Sequence, residues 1–187
     1  MGIDIPPPQQ ERIVCSIQAA SKYDFDPIIL LAVSSNENGK PGQWVKNKNG
    51  THDVGPMQLN TAYLATLAKH GITAQDAAKP GCYSYYLAAW RIKGHIVKDR
   101  SGDIWTKVAN YHSYTPVHNK KYRQKLIVNA ERWVKWFQQR GYNISNIAFN
   151  SEPVKNNIQP SNITVTYSEP KTRSSVIWKA ATPTIKQ

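Results

Sequence analysis

Cysteine is scarce in this chain. There are two, Cys15 and Cys82, too few for a disulfide scaffold and too far apart for a C-x-x-C metal or redox pair. Spacing alone leaves two readings equally open: a pair formed in an oxidising compartment, or two buried thiols. Long apolar runs are also missing. The longest, Pro27 to Val33, falls far short of the roughly 20 residues that a membrane-spanning helix needs, so no integral membrane segment is expected. The five histidines, His52, His70, His95, His112 and His118, lack metal-ligand spacing, and no Gly-rich phosphate loop follows a strand. No metal and no cofactor are therefore expected. No charged-then-apolar leader opens the chain, which by itself points to the cytosol. Carboxylates are few: twelve Asp+Glu stand against twenty-four Lys+Arg in 187 residues, for a net charge of +12.

Such an excess favours an anionic partner: nucleic acid, a membrane surface, or an acidic polymer such as a bacterial cell wall. No helix-turn-helix or RNA-binding signature accompanies the charge, so nucleic acid is not the expected partner. Most of the excess, +9, falls on residues 1–140. Beyond Gly141, Asn, Ser, Thr and Pro dominate and the helical period is lost. Residues 141–187 read as a low-complexity, flexible tail, and 9–140 as one folded domain.

Within that domain the patterns are helical. Ile13, Val14, Ile17 and Ala20 recur at spacings of three and four between Gln9 and Tyr23, after a Pro-rich arm at 1–8. Asp26-Pro27 is an N-cap followed by proline at the first helical position; the helix it opens runs to about Asn36. Further helical patterns cover 60–69, 74–79, 82–99, 103–112 and 117–140. Asn49-Gly50 suits the turn of a short hairpin from Trp44 to Val54. The expected fold is mostly α, with at most a small β-hairpin.

Three places carry candidate chemistry. Glu37 follows Ile29-Leu30-Leu31-Ala32-Val33, so it falls at the C-terminal end of a helix that should be buried. The helix dipole and an apolar setting both disfavour an anion there, which raises the carboxyl pKa as a general acid requires. A frayed, solvated Glu before Gly39 is the plainer alternative. The run from Asn49 to Asn60 is rich in Gly and side-chain amides, and Gln58 and Asn60 offer the donors and acceptors that a sugar needs; Asn60 equally suits the cap of a helix starting at Thr61. Tyr111 and His112 close a helix before Thr115-Pro116, where a hydroxyl and a base could face a cleft. The basic cluster Lys120-Lys121-Tyr122-Arg123 with Lys125 reads as a solvated helix face.

Taken in order, these motifs resemble the soluble lytic transglycosylase family, whose catalytic domain has a goose-type-lysozyme-like fold. The chain is most similar to the small members that accompany conjugation and type IV secretion machines. The resemblance spans about residues 11–137. It rests on Ser35-Asn36-Glu37-Asn38-Gly39 for the helix ending in an acid, on Gly55-Pro56-Met57-Gln58 with Leu59-Asn60 for a Gly-Leu-Met-Gln stretch, on Ala109-Asn110-Tyr111-His112-Ser113 for an Ala-Tyr-Asn motif, and on Tyr122 for a further tyrosine. Asn38 stands where Ser is usual, Pro56 where Leu is, and His112 where Asn is common.

The resemblance implies that Glu37 is the catalytic acid. It implies substrate-binding roles for Asn38, Gly55, Met57, Gln58, Asn60, Tyr111, His112, Ser113 and Tyr122, with Met57 lining the apolar side of the cleft. The implied substrate is the glycan strand of peptidoglycan, and the implied partners are components of a secretion or conjugation apparatus, met through the tail. Export to the periplasm is implied as well, which turns Cys15 and Cys82 toward a disulfide. The nearest rival keeps Glu37 and has Asp53 activate water, as in a lysozyme-like hydrolase; a further one is a non-catalytic wall-binding or secretion-scaffold protein.

Overall fold

The computed structural model of the chain describes residues 6–100 and 102–142. The expected tail lies outside the described residues, except for Gly141 and Tyr142. The architecture is mostly helical, with seven α-helices and one small sheet among the described residues. In chain order these are α1 (Pro7–Lys22), α2 (Pro27–Glu37), β1 (Trp44–Lys46), β2 (His52–Val54), β3 (Leu59–Asn60), α3 (Thr61–Ala65), a 3-10 turn (Ala68–His70), α4 (Ala74–Ala78), α5 (Tyr83–Lys98), α6 (Ile104–Ala109) and α7 (Pro116–Gln138).

Helix α2 forms the centre. Asp26 caps it through its carboxylate, which accepts from the Ile28 backbone N–H at 2.9 Å, and Pro27 fills the first position, where no N–H is needed. Every residue from Ile28 to Ser34 is buried, as expected of a helix apolar on all sides. Helices α1, α5 and α7 pack around it. Helix α7 supplies its apolar stripe of Leu126, Ala130, Trp133 and Phe137. A bond between Cys15 of α1 and Cys82, just before α5, ties two of these helices together across 67 residues.

The sheet is antiparallel in the order β1-β2-β3. The expected hairpin is present, pairing Trp44 with Val54 and Lys46 with His52; Asn47 N–H donates to Thr51 C=O at 2.8 Å to close its loop. The third strand was not expected. Its two residues carry no readable period, and it forms because Leu59 and Val54, both fully buried, pair at the core edge.

Three further boundaries differ from expectation. Helix α1 starts at Pro7, inside the expected arm, because prolines in a first turn sacrifice only N–H groups that lack helical partners. The helix expected over 60–69 stops at Ala65; Thr66 turns its hydroxyl onto Tyr63 C=O at 2.7 Å, competing with the backbone ladder. The helix expected over 103–112 stops at Ala109. There the Asn119 amide donates to Thr106 C=O, Ser113 C=O and Asn110 Oδ1 at 2.9–3.1 Å, holding residues 110–113 as a turn.

Candidate functional site

The last turn of α2 delivers Glu37 to the surface of the core. The helix cannot continue: Asn38 adopts the left-handed conformation at φ 46° and caps it, its N–H donating to Ser34 C=O at 2.9 Å. Gly39 follows at a point of close approach. A Cβ there would lie 2.1 Å from Gly55 C=O and 2.6 Å from Gln58 Nε2, so only glycine lets the Gly55–Gln58 turn rest against the end of α2. Gly55 is constrained too, at φ 69° and with a virtual Cβ 2.2 Å from Ala77 C=O.

Glu37 is half-buried. Burial raises its carboxyl pKa to about 7. A hydrogen bond from Tyr122 pulls in the opposite direction, the Asp53 charge adds to the rise, and Arg91 and Lys125 lower it. The Tyr122 hydroxyl, on α7, donates to Glu37 Oε1. Tyr122 is itself buried, and the His112 ring stacks on it in parallel, with centroids 4.8 Å apart. A cleft of about 250 Å³ opens over the acid, lined by Asn36, Glu37, His112, His118, Lys121, Tyr122 and Lys125. Its wall is cationic and polar, and Glu37 is its one carboxylate.

The structure brings together only some of the residues expected to bind substrate. Glu37, Tyr122 and His112 meet in the cleft. Met57 does not line it: the side chain is fully buried in the core, and the residue's part in the site is its backbone carbonyl. That carbonyl accepts the Tyr111 hydroxyl at 2.7 Å, so Tyr111, buried as well, pins the Gly55–Gln58 turn instead of presenting its hydroxyl to a ligand. Arg91 lies over the Tyr63 and Tyr111 rings, 4.4 and 4.9 Å from their centroids. Asn60 is consumed in capping: its Oδ1 accepts from Ala62 N–H, and its Nδ2 donates to Thr51 Oγ1 and to Asp53 Oδ1. Asn38 accepts from Arg12 at 3.0 Å. Ser113 accepts from Thr115 N–H at 3.0 Å ahead of α7. Gln58, at φ 46°, folds its amide back onto Gly55 C=O at 2.9 Å.

Asp53 accepts from Asn60 at 2.8 Å across the β2–β3 pair. Sequence reasoning missed Asn36, His118, Lys121 and Lys125 as cleft residues. Of the basic cluster read as a solvated face, Arg123 is paired with Asp103 at 2.8 Å, while Lys120, Lys121 and Lys125 are exposed as expected, and Lys121 and Lys125 also line the cleft. The i, i+4 spacing of Lys121 and Lys125, which flank Tyr122, was the available signal.

The fold and site thus define a mostly helical domain presenting one half-buried acid in a cationic cleft. No family model matches the chain. It is similar to the invasion protein IagB of Salmonella typhimurium (strain LT2), with 28% identity over 123 residues, 63% of this chain and 76% of IagB. It is also similar to protein IpgF of Shigella flexneri, with 28% identity over 126 residues, 67% of this chain and 82% of IpgF.

Proposed function

We propose that the protein is a peptidoglycan lytic transglycosylase with Glu37 as its single acid and base. The observation that carries this reading is the state of Glu37: a carboxyl raised to about 7 by burial, with Tyr122 donating to one oxygen. A group with a pKa near the working pH can give a proton and take it back in one cycle. Glycosidases ordinarily need two carboxyl groups; here one lines the cleft. That matches a reaction in which the substrate supplies its own nucleophile.

The steps follow from that economy. Protonated Glu37 donates to the glycosidic oxygen between N-acetylmuramic acid and N-acetylglucosamine as the bond to the anomeric carbon breaks. The acetamido oxygen of the muramic residue attacks that carbon and holds its positive charge, a substrate-assisted route. The Glu37 carboxylate then removes the proton from the muramic 6-hydroxyl. The freed oxygen attacks the anomeric carbon, displaces the acetamido oxygen and closes the 1,6-anhydro ring. Glu37 ends protonated as it began, and no water is consumed. Tyr122 fixes the carboxyl and favours its ionised form in the second half. Lys121 and Lys125 draw the anionic wall polymer to the cleft.

The similarity to a protein named for invasion supports a setting in which the wall is opened locally for a machine that crosses the envelope. The Cys15–Cys82 bond supports an oxidising compartment, the periplasm. The test is release of soluble fragments from purified peptidoglycan by wild type and not by Glu37→Gln. Release by both variants would remove Glu37 from the chemistry. A hydrolase reading draws on Asp53, whose charge reaches Glu37; hydrated products lost in Asp53→Asn would favour it.

A further inference from the structure

Arg91, in α5, is a half-buried cation. It is not among the residues that line the cleft over Glu37, and it forms no ion pair with any described residue. A charge partly withdrawn from water needs compensation. Here two aromatic faces supply it. The guanidinium carbon stands 4.4 Å from the centroid of the Tyr63 ring, in α3, and 4.9 Å from that of Tyr111, which follows α6. Such faces attract a cation, the more so where water is excluded. The grip is continuous with the site. The Tyr111 hydroxyl donates to the Met57 carbonyl at 2.7 Å, within the Gly55–Gln58 turn that rests against the end of α2.

A second link is electrostatic. Arg91 lowers the Glu37 pKa, against the rise caused by burial and by the Asp53 charge of β2. Tyr122 and Lys125 of α7 lower it as well. Two neighbours bring no charge of their own at neutral pH: burial lowers the His112 pKa and raises that of Tyr111 well above 10. Lys125 lines the cleft, so an anionic ligand there pairs with it and cancels part of its effect. Arg91 lies outside the lining, and a guanidinium stays charged at every working pH.

We propose that Arg91 is a positioning residue for the Glu37 site: gripped between Tyr63 and Tyr111, it holds the Tyr111 hydroxyl on the Met57 carbonyl and keeps a fixed positive charge near the acid while a ligand fills the cleft. The inference rests on reading Glu37 as acid and base. Arg91 acts through Tyr111 and through its field, not on the substrate. Its influence falls on the second half of the cycle, in which Glu37 must be a carboxylate.

The test uses the full chain carrying Arg91→Met, which keeps length and loses charge, or Arg91→Lys, which keeps charge. The Glu37 carboxyl is titrated by carbon-13 NMR without ligand, its signal assigned by its absence from Glu37→Gln. Fragment release from solubilised peptidoglycan is followed against pH. Arg91→Met should raise the Glu37 midpoint by about half a unit. It should lower kcat about tenfold and leave KM within about twofold. Arg91→Lys should recover most of the midpoint, which a purely structural role would not move. Should Arg91→Met not fold, Tyr63→Leu removes one aromatic face; kcat should fall about threefold at unchanged KM, and Tyr63→Phe should restore it. An unmoved midpoint, or a KM that rises while kcat stands, would overturn the proposal. Release that Glu37→Gln abolishes and Arg91→Met leaves intact would remove Arg91 and keep the transglycosylase reading. No release by wild type would sink that reading, while the ligand-free titration still decides whether Arg91 sets the state of Glu37.

Discussion

Tyr122 of α7 donates its hydroxyl proton to Oε1 of Glu37, the last residue of α2, across a sequence separation of 85 residues. The contact joins the two helices that form the walls of the candidate site. It also sets two opposed influences on one carboxyl: burial raises its pKa, and the Tyr122 bond lowers it. The balance, about 7, suits a group that must act first as acid and then as base.

Removing that donor shifts the balance. Tyr122→Phe deletes a hydrogen bond to the charged form, so the Glu37 pKa rises further. The pH at which cleavage begins to require the carboxylate should move upward by about one unit, with the maximal rate about 10- to 100-fold lower. A pH–rate profile of wild type and variant checks both. An unchanged profile would leave Tyr122 as mere packing.

Glu37 should also leave a mark on stability. Its folded pKa, about 7, lies above its ordinary value of 4.5. Between those values the native state holds more proton than the unfolded chain, so the group's contribution is full below about 4.5 and is lost as pH rises toward 7. Glu37→Gln removes the cost of ionising a buried acid. The variant should be more stable than wild type at pH 8, by up to about 3 kcal/mol, and no more stable at pH 4. Thermal melts at the two values test the sign.

Gly39 is where the α2 end meets the Gly55–Gln58 turn. Gly39→Ala would put a Cβ 2.1 Å from a backbone oxygen, which the turn can accommodate only by moving. A loss of about 2 kcal/mol or more is expected, on the scale of overpacking, with cleavage lost even where the protein stays folded. Denaturant unfolding and peptidoglycan digestion check the two parts. Gly94→Ala, in α5, where a Cβ meets nothing within 4 Å and the backbone is helical, serves as the comparison.

The Cys15–Cys82 bond closes a 67-residue separation. By loop entropy such a link stabilises the fold by roughly 4 kcal/mol. Cys15→Ser with Cys82→Ser should lower stability by about 2–5 kcal/mol. Reduction of wild type should reproduce the effect, as read by chemical denaturation with and without reductant.

Much of this arrangement was legible in the sequence, for physical reasons. Asp26-Pro27 and Asn60 mark helix starts because a capping side chain and a fixed φ are local properties. The stripes of α1 and α7 are readable because one-sided burial imposes a 3.6-residue period, and α2 because its unbroken apolar run marks a helix buried on all sides. The position of Glu37 at a buried helix end followed from the same pattern. What was not legible depends on contacts between elements. A motif gives the residue type at a position but not which way its side chain turns, so Met57 and Tyr111 were assigned to the ligand while the fold spends them on each other. Lys121 and Lys125 are exposed, as a solvated face requires, but nothing in α7 alone tells that this face borders the cleft at the end of α2. Strand β3 is too short to have a period.

The most direct measurement is the mass of the soluble fragments that the wild-type protein releases from purified peptidoglycan, with Glu37→Gln as the control. The expected result is fragments ending in 1,6-anhydro-N-acetylmuramic acid, one water lighter than hydrolytic products, from wild type and not from the variant. Hydrated fragments, or equal release by both proteins, would contradict Glu37 acting as the sole acid and base of a lytic transglycosylase.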